Sequence, residues 1–260
     1  MPFTVSHVAA VLPAYRPLTR AGAFSAAVIG AMVPDFGMLL PGSFARWQTH
    51  SLPALFAFCL PVGLAAYALT QWLIKPALTE VLPDRIYLRM RAEHPAARLR
   101  RFSTWLYAAL AVLFGAVTHL IWDGFTHENA RGVRFLPFLE DYGPEMGGHA
   151  LRLYRWLQYG SSVLGLLVVL LAVLVWVQHA PRLAAPPIRR LSRTERRVLG
   201  ALYLLLPLAA GILALAVLVP LRHGLVAAGA ALSAAAVLLL QASALSLLLV
   251  SGLIRLRLGR

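Results

Sequence analysis

Five long apolar stretches, free of Asp, Glu, Lys and Arg, constrain this chain more than any other feature of its sequence. They cover residues 52–74, 104–122, 159–177, 198–219 and 225–254. A helix rises about 1.5 Å per residue, so about 20 apolar residues cross the roughly 30 Å hydrocarbon core of a bilayer. The chain is 60% hydrophobic and only 13% charged, which excludes an ordinary soluble domain. We therefore predict an all-α, polytopic integral membrane protein with about five full transmembrane helices.

The first 45 residues allow two arrangements. Residues 21–40 are apolar enough for a sixth transmembrane helix that follows Arg16 and Arg20. The alternative is a re-entrant or short-helix hairpin of residues 6–15 and 20–33, broken at Pro13 and Pro17, because each half is too short to span alone. For these reasons we favour the hairpin, which also brings His7 and Asp35 to the same end.

Arginines are concentrated in the segments between the apolar stretches and predict the orientation of the chain. Residues 76–103 and 180–197 carry six arginines each, and three more lie in the C-terminal tail. Cytoplasmic loops are enriched in Lys and Arg, so we expect these segments and the C-terminus in the cytoplasm. The expected organisation is a helical membrane domain (1–179), a basic cytoplasmic loop (180–197) and a C-terminal transmembrane hairpin (198–260).

Six metal-ligand side chains lie at the ends of apolar stretches rather than in polar loops. On a helix, His119, Asp123 and His127 share one face at spacings of four residues. The orientation rule places His50 on the same, extracytoplasmic, side, and the hairpin adds His7 and Asp35. Ionisable groups are costly in such surroundings unless something binds them. The predicted metal ligands are His7, Asp35, His50, His119, Asp123 and His127.

Other side chains could support these ligands or contact a substrate, and simpler interpretations exist for each. Thr49 and Ser51 flank His50 and would also serve as helix caps. Glu128 and His149 belong to polar segments on the same predicted side. The chief rival to a metal is an ion pair of Asp35 or Asp123 with an arginine; the candidates are Arg46, Arg131 and Arg134.

Imidazole and carboxylate ligands suit first-row divalent metals, which indicates zinc as the first candidate and a centre of one or two ions. The single cysteine, Cys59, excludes a disulfide framework and a thiolate zinc site within one chain. The net charge of +14 is spread over the segments between spans, so it indicates contact with lipid rather than with nucleic acid.

Several motifs, in order, resemble a bacterial membrane family known as domain of unknown function 4184. They are Met1-Pro-Phe-Thr-x-Ser-His7, Met32-Val-Pro-Asp35-Phe, Thr49-His50-Ser51, the segment 118–127 and Leu157-Gln-Tyr-Gly-Ser-Ser162. More distantly, the order of ligands is similar to that of membrane-bound metal-dependent hydrolases and zinc-dependent phospholipases C. That resemblance implies that Asp123 bridges two metals and that Asp35 also acts as the general base.

The expectation for function is a membrane-bound, metal-dependent hydrolase. It would act on a phosphoester or ester of a lipid-like substrate at the extracytoplasmic surface of the bacterial inner membrane. The alternative is a non-enzymatic membrane protein, either a metal-stabilised scaffold or an ion-coupled transporter. A transporter would carry ionisable residues at mid-depth in several spans, whereas here they lie near the ends of spans. The oligomeric state is left open.

Overall fold

The computed structural model describes residues 4–40, 44–92, 99–146, 149–181, 191–218 and 225–259. The chain is a helical, polytopic membrane protein. Five helical segments are long and apolar enough to cross a membrane, which confirms the predicted number of spans. They are Leu52–Val81, Phe102–Thr126, Leu153–His179, Arg193–Val217 and Ala234–Arg257.

The helices form two compact units. The first consists of Met1–Gly37, Ser43–Tyr67 and Ala97–His179, and the second of Met38–Gly42, Ala68–Ala96 and Ala180–Arg260. The sequence-based boundaries placed residues 68–96 with the N-terminal membrane domain, whereas their packing groups them with the C-terminal helices. Residues 182–190, in the middle of the predicted basic loop, lie outside the described residues.

The first unit contains the predicted ligands. Its elements are a 3₁₀ helix Thr4–Ala14, α1 Tyr15–Arg20, α2 Phe24–Gly30, a 3₁₀ helix Val33–Met38, α3 Arg46–Thr49, α4 Leu52–Ala54, a π-helical turn Leu55–Cys59, and the start of α5 Leu60–Leu69. After residue 97 come α8 Phe102–Thr126, α9 Arg131–Phe135, a 3₁₀ turn Pro137–Glu140, β1 Tyr142–Met146, β2 His149–Arg152 and α10 Leu153–His179. The antiparallel β1–β2 hairpin was not foreseen.

The second unit packs the two C-terminal helices with the end of the first span. Its elements are a π-helical turn Thr70–Ile74, α6 Lys75–Val81, α7 Asp84–Ala92, α11 Arg193–Leu218 and α12 Leu225–Arg257. A buried apolar cluster includes Ala77, Val250 and Ile254, and Tyr203 shares a hydrogen bond of 2.9 Å with Ser251. Among the described residues, this unit contains none of the six predicted ligands.

The N-terminal segment is a short-helix hairpin, as predicted. Residues 21–40 form only the seven-residue α2 and a 3₁₀ helix, which excludes the six-span alternative. The position of the turn was wrong, however, because the chain reverses at Gly22 (φ 71°) and not between Pro13 and Pro17. Both prolines are accommodated inside short helices, whereas a positive φ favours glycine. The hydroxyl of Thr4 donates to Asp35 Oδ2 over 2.7 Å and joins the two ends of the hairpin.

Small residues bring α2 of this hairpin into close contact with α8. A Cβ atom on Gly30 would collide with the backbone of Val112, and one on Gly115 would collide with the backbone of Ala27 and Ala31. Such small-residue contacts allow helix backbones in membranes to approach closely. The consequence is that the backbone at Ala31 reaches the ligand-bearing end of α8.

Substitution of Gly115 tests this contact. We expect Gly115→Ala to lower the free energy of unfolding by about 1–3 kcal/mol, because the added methyl group meets backbone atoms that cannot rotate away. Gly160→Ala in α10 is the matched control, since a Cβ there has no neighbour within 4 Å, and it should be neutral or slightly stabilising. Thermal unfolding of the purified protein in detergent measures both. Equal unfolding temperatures for the two variants would contradict the close α2–α8 packing.

Candidate metal centre

The predicted ligands meet in the first unit, where three separate parts of the chain approach one another. His7 and Asp35 come from the two ends of the N-terminal hairpin, and His50 from the short connection between α3 and α4. His119 and Asp123 lie one turn apart near the end of α8. Of these five residues all except His50 are buried, and the His119 side chain has no exposed surface. The local sequence alone does not bring these residues together; the α2–α8 contact and the hairpin do.

The carboxylate of Asp123 lies at the centre of this cluster, with each oxygen facing a pair of histidines. Oδ2 is 3.6 Å from Nε2 of His50 and 3.6 Å from Nε2 of His119. Oδ1 is 3.6 Å from Nε2 of His7 and 3.4 Å from Nδ1 of His127. Asp123 therefore contacts four imidazoles at 3.4–3.6 Å, and the bridging role that the resemblance to metal-dependent hydrolases implies for it stays a prediction.

Asp35, His50 and His119 form a second converging group. Asp35 Oδ1 is 3.3 Å from His50 Nε2 and 3.8 Å from His119 Nε2. Zinc binds nitrogen and oxygen at about 2.0–2.1 Å, so neighbouring ligand atoms in a tetrahedral site are separated by about 3.3 Å. The observed separations are at this value or a few tenths of an ångström above it. The ligand atoms of these three residues all lie within 4.8 Å of one another, so the three could hold one metal ion after small side-chain movements.

Hydrogen bonds on the far side of two imidazoles leave their Nε2 atoms facing the cluster. His119 Nδ1 donates to the carbonyl oxygen of Ala31 over 2.8 Å. His50 Nδ1 lies 2.7 Å from Thr49 Oγ1, to which it can also donate. When Nδ1 carries the proton, Nε2 carries the lone pair that a metal requires. The two rings are thus oriented as ligands are in known metal sites.

Several buried polar atoms that face the cluster have no hydrogen-bond partner. They are Nε2 of His7, His50 and His119, and Oδ1 of Asp123. A buried polar atom without a partner costs about 1–3 kcal/mol, and folded proteins contain few of them. All four of these atoms are of the type that can bind a metal ion.

The hairpin ligands are deprotonated at neutral pH. Burial lowers the pKa of His7 to about 4, so its imidazole is neutral. Burial raises the pKa of Asp35, but the neighbouring imidazoles of His50 and His119 and the hydrogen bond from Thr4 outweigh burial and keep this pKa below its usual value. Metals bind neutral imidazole and ionised carboxylate, so neither ligand has to lose a proton on binding.

Arg46 forms the ion pair with Asp123 that was predicted as the alternative to a metal. Its guanidinium donates to Asp123 Oδ2 over 2.7 Å, while half of the Arg46 side chain is exposed. Each carboxylate oxygen has two lone pairs, so Oδ2 can accept this hydrogen bond and still bind a metal. The ion pair therefore satisfies one lone pair of Asp123 but not the four unpartnered atoms. Neither Arg131 nor Arg134 forms an ion pair with a carboxylate among the described residues.

His127 was predicted on the same helix face as His119 and Asp123, but α8 ends at Thr126 and the backbone of His127 is extended. Its ring reaches back toward Asp123, and its Nε2 lies 3.1 Å from Nε2 of Gln158 in α10. Burial, the largest influence, and the nearby Arg46 lower the pKa of His127, while Asp123 raises it. The ligand atoms converge within 4.8 Å in two groups, one of His7, His119 and Asp123 and one of Asp35, His50 and His119. His127 belongs to neither group, so its role as a ligand stays a prediction.

The predicted supporting residues have different environments. Thr49 contacts His50, whereas Ser51 caps α4 by accepting a hydrogen bond from the backbone of Ala54 over 3.3 Å. Glu128 is exposed and belongs to neither converging group. His149 lies in β2, but its side chain is outside the described residues.

Four groups around the ligands were not identified from the sequence. The first is the backbone carbonyl of Ala31, which accepts the hydrogen bond from His119. Because it belongs to the backbone, no pattern of residue types could have predicted its role. Thr4 and Gln158 are part of the motifs that carry the family resemblance, and their place in these motifs could have marked them as neighbours of the ligands. Trp122 belongs to the same motifs; its indole N–H donates to Ser161 over 3.1 Å and its ring contacts that of His7 edge-on.

Comparison with known proteins yields a family without an assigned activity. A family model described as a domain of unknown function matches residues 1–254. No curated protein and no solved structure matches the chain. The distant resemblance to hydrolases and phospholipases therefore stays a prediction.

Proposed function

The chain belongs to the family of domain of unknown function 4184, and from the geometry of its cluster we propose that it is a membrane-bound, metal-dependent hydrolase. The observation that carries this proposal is the convergence of three buried, unpartnered imidazole nitrogens, of His7, His50 and His119, on the carboxylate of Asp123, whose Oδ1 is itself unpartnered. The cofactor would be a divalent metal, zinc in the first place. Asp35, His50 and His119 would hold one ion, and His7 and Asp123, with His127 as a further candidate, would hold a second one.

The proposed reaction is hydrolysis of a phosphoester or carboxylic ester. A metal held by these residues would supply a Lewis acid and would lower the pKa of a water molecule to about 7. The water oxygen forms a bond to phosphorus or to the acyl carbon, and the bond to the leaving alcohol oxygen breaks. Asp35 accepts a proton from the attacking water and then donates it to the leaving alcohol oxygen. The products are an alcohol and a phosphate or carboxylic acid.

Asp35 is the proposed general base, because it lies next to the ligands His50 and His119, whereas Asp123 lies at the centre of the cluster. Thr4 fixes Oδ2, and Oδ1 points toward His50 and His119. The carboxylate is ionised at neutral pH and so can accept a proton. Its two oxygens carry enough lone pairs for the hydrogen bond from Thr4, a metal bond and a transient proton.

The proposed location is the extracytoplasmic face of the bacterial inner membrane, with the C-terminus in the cytoplasm. Support comes from arginine-rich segments: Arg100 and Arg101 precede α8 at the end opposite to Asp123. A 25-residue helix is about 38 Å long, which is enough to separate its two ends by the hydrocarbon core. Cytoplasmic arginines at the start of α8 therefore imply an extracytoplasmic ligand cluster.

One experiment tests both the activity and the side of the membrane. Sealed right-side-out and inverted vesicles that contain the protein are supplied with zinc and with membrane-impermeant phosphate and carboxylic esters of p-nitrophenol. We expect hydrolysis in right-side-out vesicles and, in inverted ones, only after permeabilisation, because the cluster faces outward. The Asp35→Asn variant should lower kcat by at least about 100-fold, since it loses the base. Asp141→Asn, at an exposed carboxylate outside the cluster, is the matched control.

The possible failures of this experiment are distinct. No hydrolysis of either ester class by permeabilised, zinc-loaded vesicles would contradict the hydrolase. Hydrolysis confined to intact inverted vesicles would contradict only the orientation.

The non-enzymatic alternative has less support. An ion-coupled transporter requires ionisable side chains along a path through the membrane. In the described parts of α11 and α12, the charged residues lie at the ends that carry Arg193, Glu195 and Arg255. A metal-stabilised scaffold would bind zinc as proposed here but show no hydrolysis in the vesicle experiment.

A further inference from the structure

A cleft beside the candidate metal centre indicates what kind of molecule the centre acts on. It has a volume of about 740 Å³ and lies in the first unit, between the start of the first span, the end of α8 and α9. His50 and Asp123 are part of its lining, so the cleft opens onto the ligand cluster. A substrate bound there has direct access to the proposed metals.

The polar end of the cleft carries an excess of positive charge. Arg46, Arg131 and Arg134 line it, and Asp123 is the only acidic residue among its lining residues. Arg46 is paired with Asp123, whereas Arg131 and Arg134 are exposed and have no carboxylate partner among the described residues. Two unpaired guanidinium groups next to a metal centre favour an anionic ligand, and their planar donor geometry matches the oxygens of a phosphate.

The remaining wall of the cleft is apolar and continues onto the membrane-facing surface. Leu52 and Ile121 belong to candidate membrane spans and are 55% and 59% exposed. Phe135 in α9, next to the arginines in sequence, is 79% exposed. Large apolar side chains at the ends of spans contact lipid without cost, so the cleft is open toward the bilayer on this side. An acyl or prenyl chain can lie against this wall while its headgroup reaches the arginines.

From this distribution of charge and apolar surface we infer that the substrate is a phosphate monoester of a lipid that enters the cleft from the bilayer. The inference rests on the proposed function, because it names the substrate class of the same site. A neutral carboxylic ester would leave Arg131 and Arg134 without a partner, and a soluble phosphate ester would leave the apolar wall unused. The dianionic phosphate binds Arg131 and Arg134, and its ester bond lies toward Asp123.

Lipid binding tests the inference without relying on the metal. The full-length protein is treated with chelator in detergent, and the Kd for dihexanoyl phosphatidic acid is measured by calorimetry. We expect the double variant Arg131→Gln/Arg134→Gln to bind at least about tenfold more weakly, since it loses two charge-assisted contacts. Arg100→Gln/Arg101→Gln is the matched control, because it removes the same charge at the opposite end of α8, and it should retain the Kd of the wild type.

Further arms of this experiment separate the remaining explanations. Arg131→Lys/Arg134→Lys keeps the charge and guards against a folding defect, and we expect it to recover part of the affinity. Glycerol 3-phosphate at the same concentration should not displace the lipid, because it lacks the chains that contact the apolar wall. Equal weakening in both glutamine pairs, no weakening in the cleft pair, or displacement by glycerol 3-phosphate would overturn the inference. Absence of a metal from the protein would contradict the proposed hydrolase but leave these binding constants unchanged.

Discussion

Asp123→Asn is expected to remove the metal from the protein. The substitution keeps the shape of the side chain but eliminates the negative charge that faces both histidine pairs. Mutation of a residue that only hydrogen-bonds a metal ligand typically lowers metal affinity by about 10–100-fold. Loss of a carboxylate that binds two ions should lower it further. Metal analysis of the full-length protein, purified in detergent and equilibrated with zinc, should find stoichiometric metal in the wild type and background metal in the variant.

The matched control for this prediction is Asp141→Asn. It makes the same chemical change at an exposed carboxylate in the same unit, so it corrects for zinc bound nonspecifically to the surface. The control should retain the metal content of the wild type. A wild-type protein without metal, or an Asp123→Asn variant with undiminished metal, would contradict the candidate centre and leave the Arg46 ion pair as the explanation of Asp123.

The sequence indicated the spans and the ligand types well, because both depend on short-range patterns. A stretch of about 20 apolar residues has few alternatives in a membrane, and the five predicted spans are present. Ionisable residues at the ends of such stretches are conspicuous for the same reason. His7, Asp35, His50, His119 and Asp123 were all found in this way, and the structure brings them together.

The features that could not be predicted from the sequence are the hairpin turn, the end of α8 and the contact between Ala31 and His119. They depend on packing and on where helices end rather than on short-range patterns. The position of the hairpin turn was wrong because prolines were taken as breaks, although they fit in short helices, while Gly22 supplies the reversal. The end of α8 before His127 was missed because helical spacing continues in the sequence past the point where the helix stops. The contact of Ala31 with His119 arises from backbone proximity at Gly30 and Gly115, which a pattern of ligands does not encode.

Removal of the metal is expected to destabilise the protein strongly. A ligand at about 1,000 times its Kd stabilises the folded state by about 4 kcal/mol. For a chain of this size, 1 kcal/mol shifts the Tm by about 2–4 °C, so chelation should lower the Tm of the zinc-loaded wild type by about 10 °C. Thermal unfolding in detergent, with and without chelator, measures this shift. Asp123→Asn is the control, since a variant that binds no metal should unfold at the same temperature in both conditions.

Arg46→Gln combined with chelation decides between the metal and the ion pair as the main partner of Asp123. If the ion pair is the main partner, loss of Arg46 leaves a buried charge uncompensated and costs about 3–5 kcal/mol whether zinc is present or absent. If the metal is the main partner, the variant should unfold close to the wild type with zinc and well below it after chelation. With zinc bound, the metal compensates the charge of Asp123 in the absence of Arg46. After chelation, neither the metal nor the guanidinium compensates this charge. A loss of Tm that is the same in both conditions would contradict the metal centre, because the bound ion would then contribute nothing to the charge balance at Asp123.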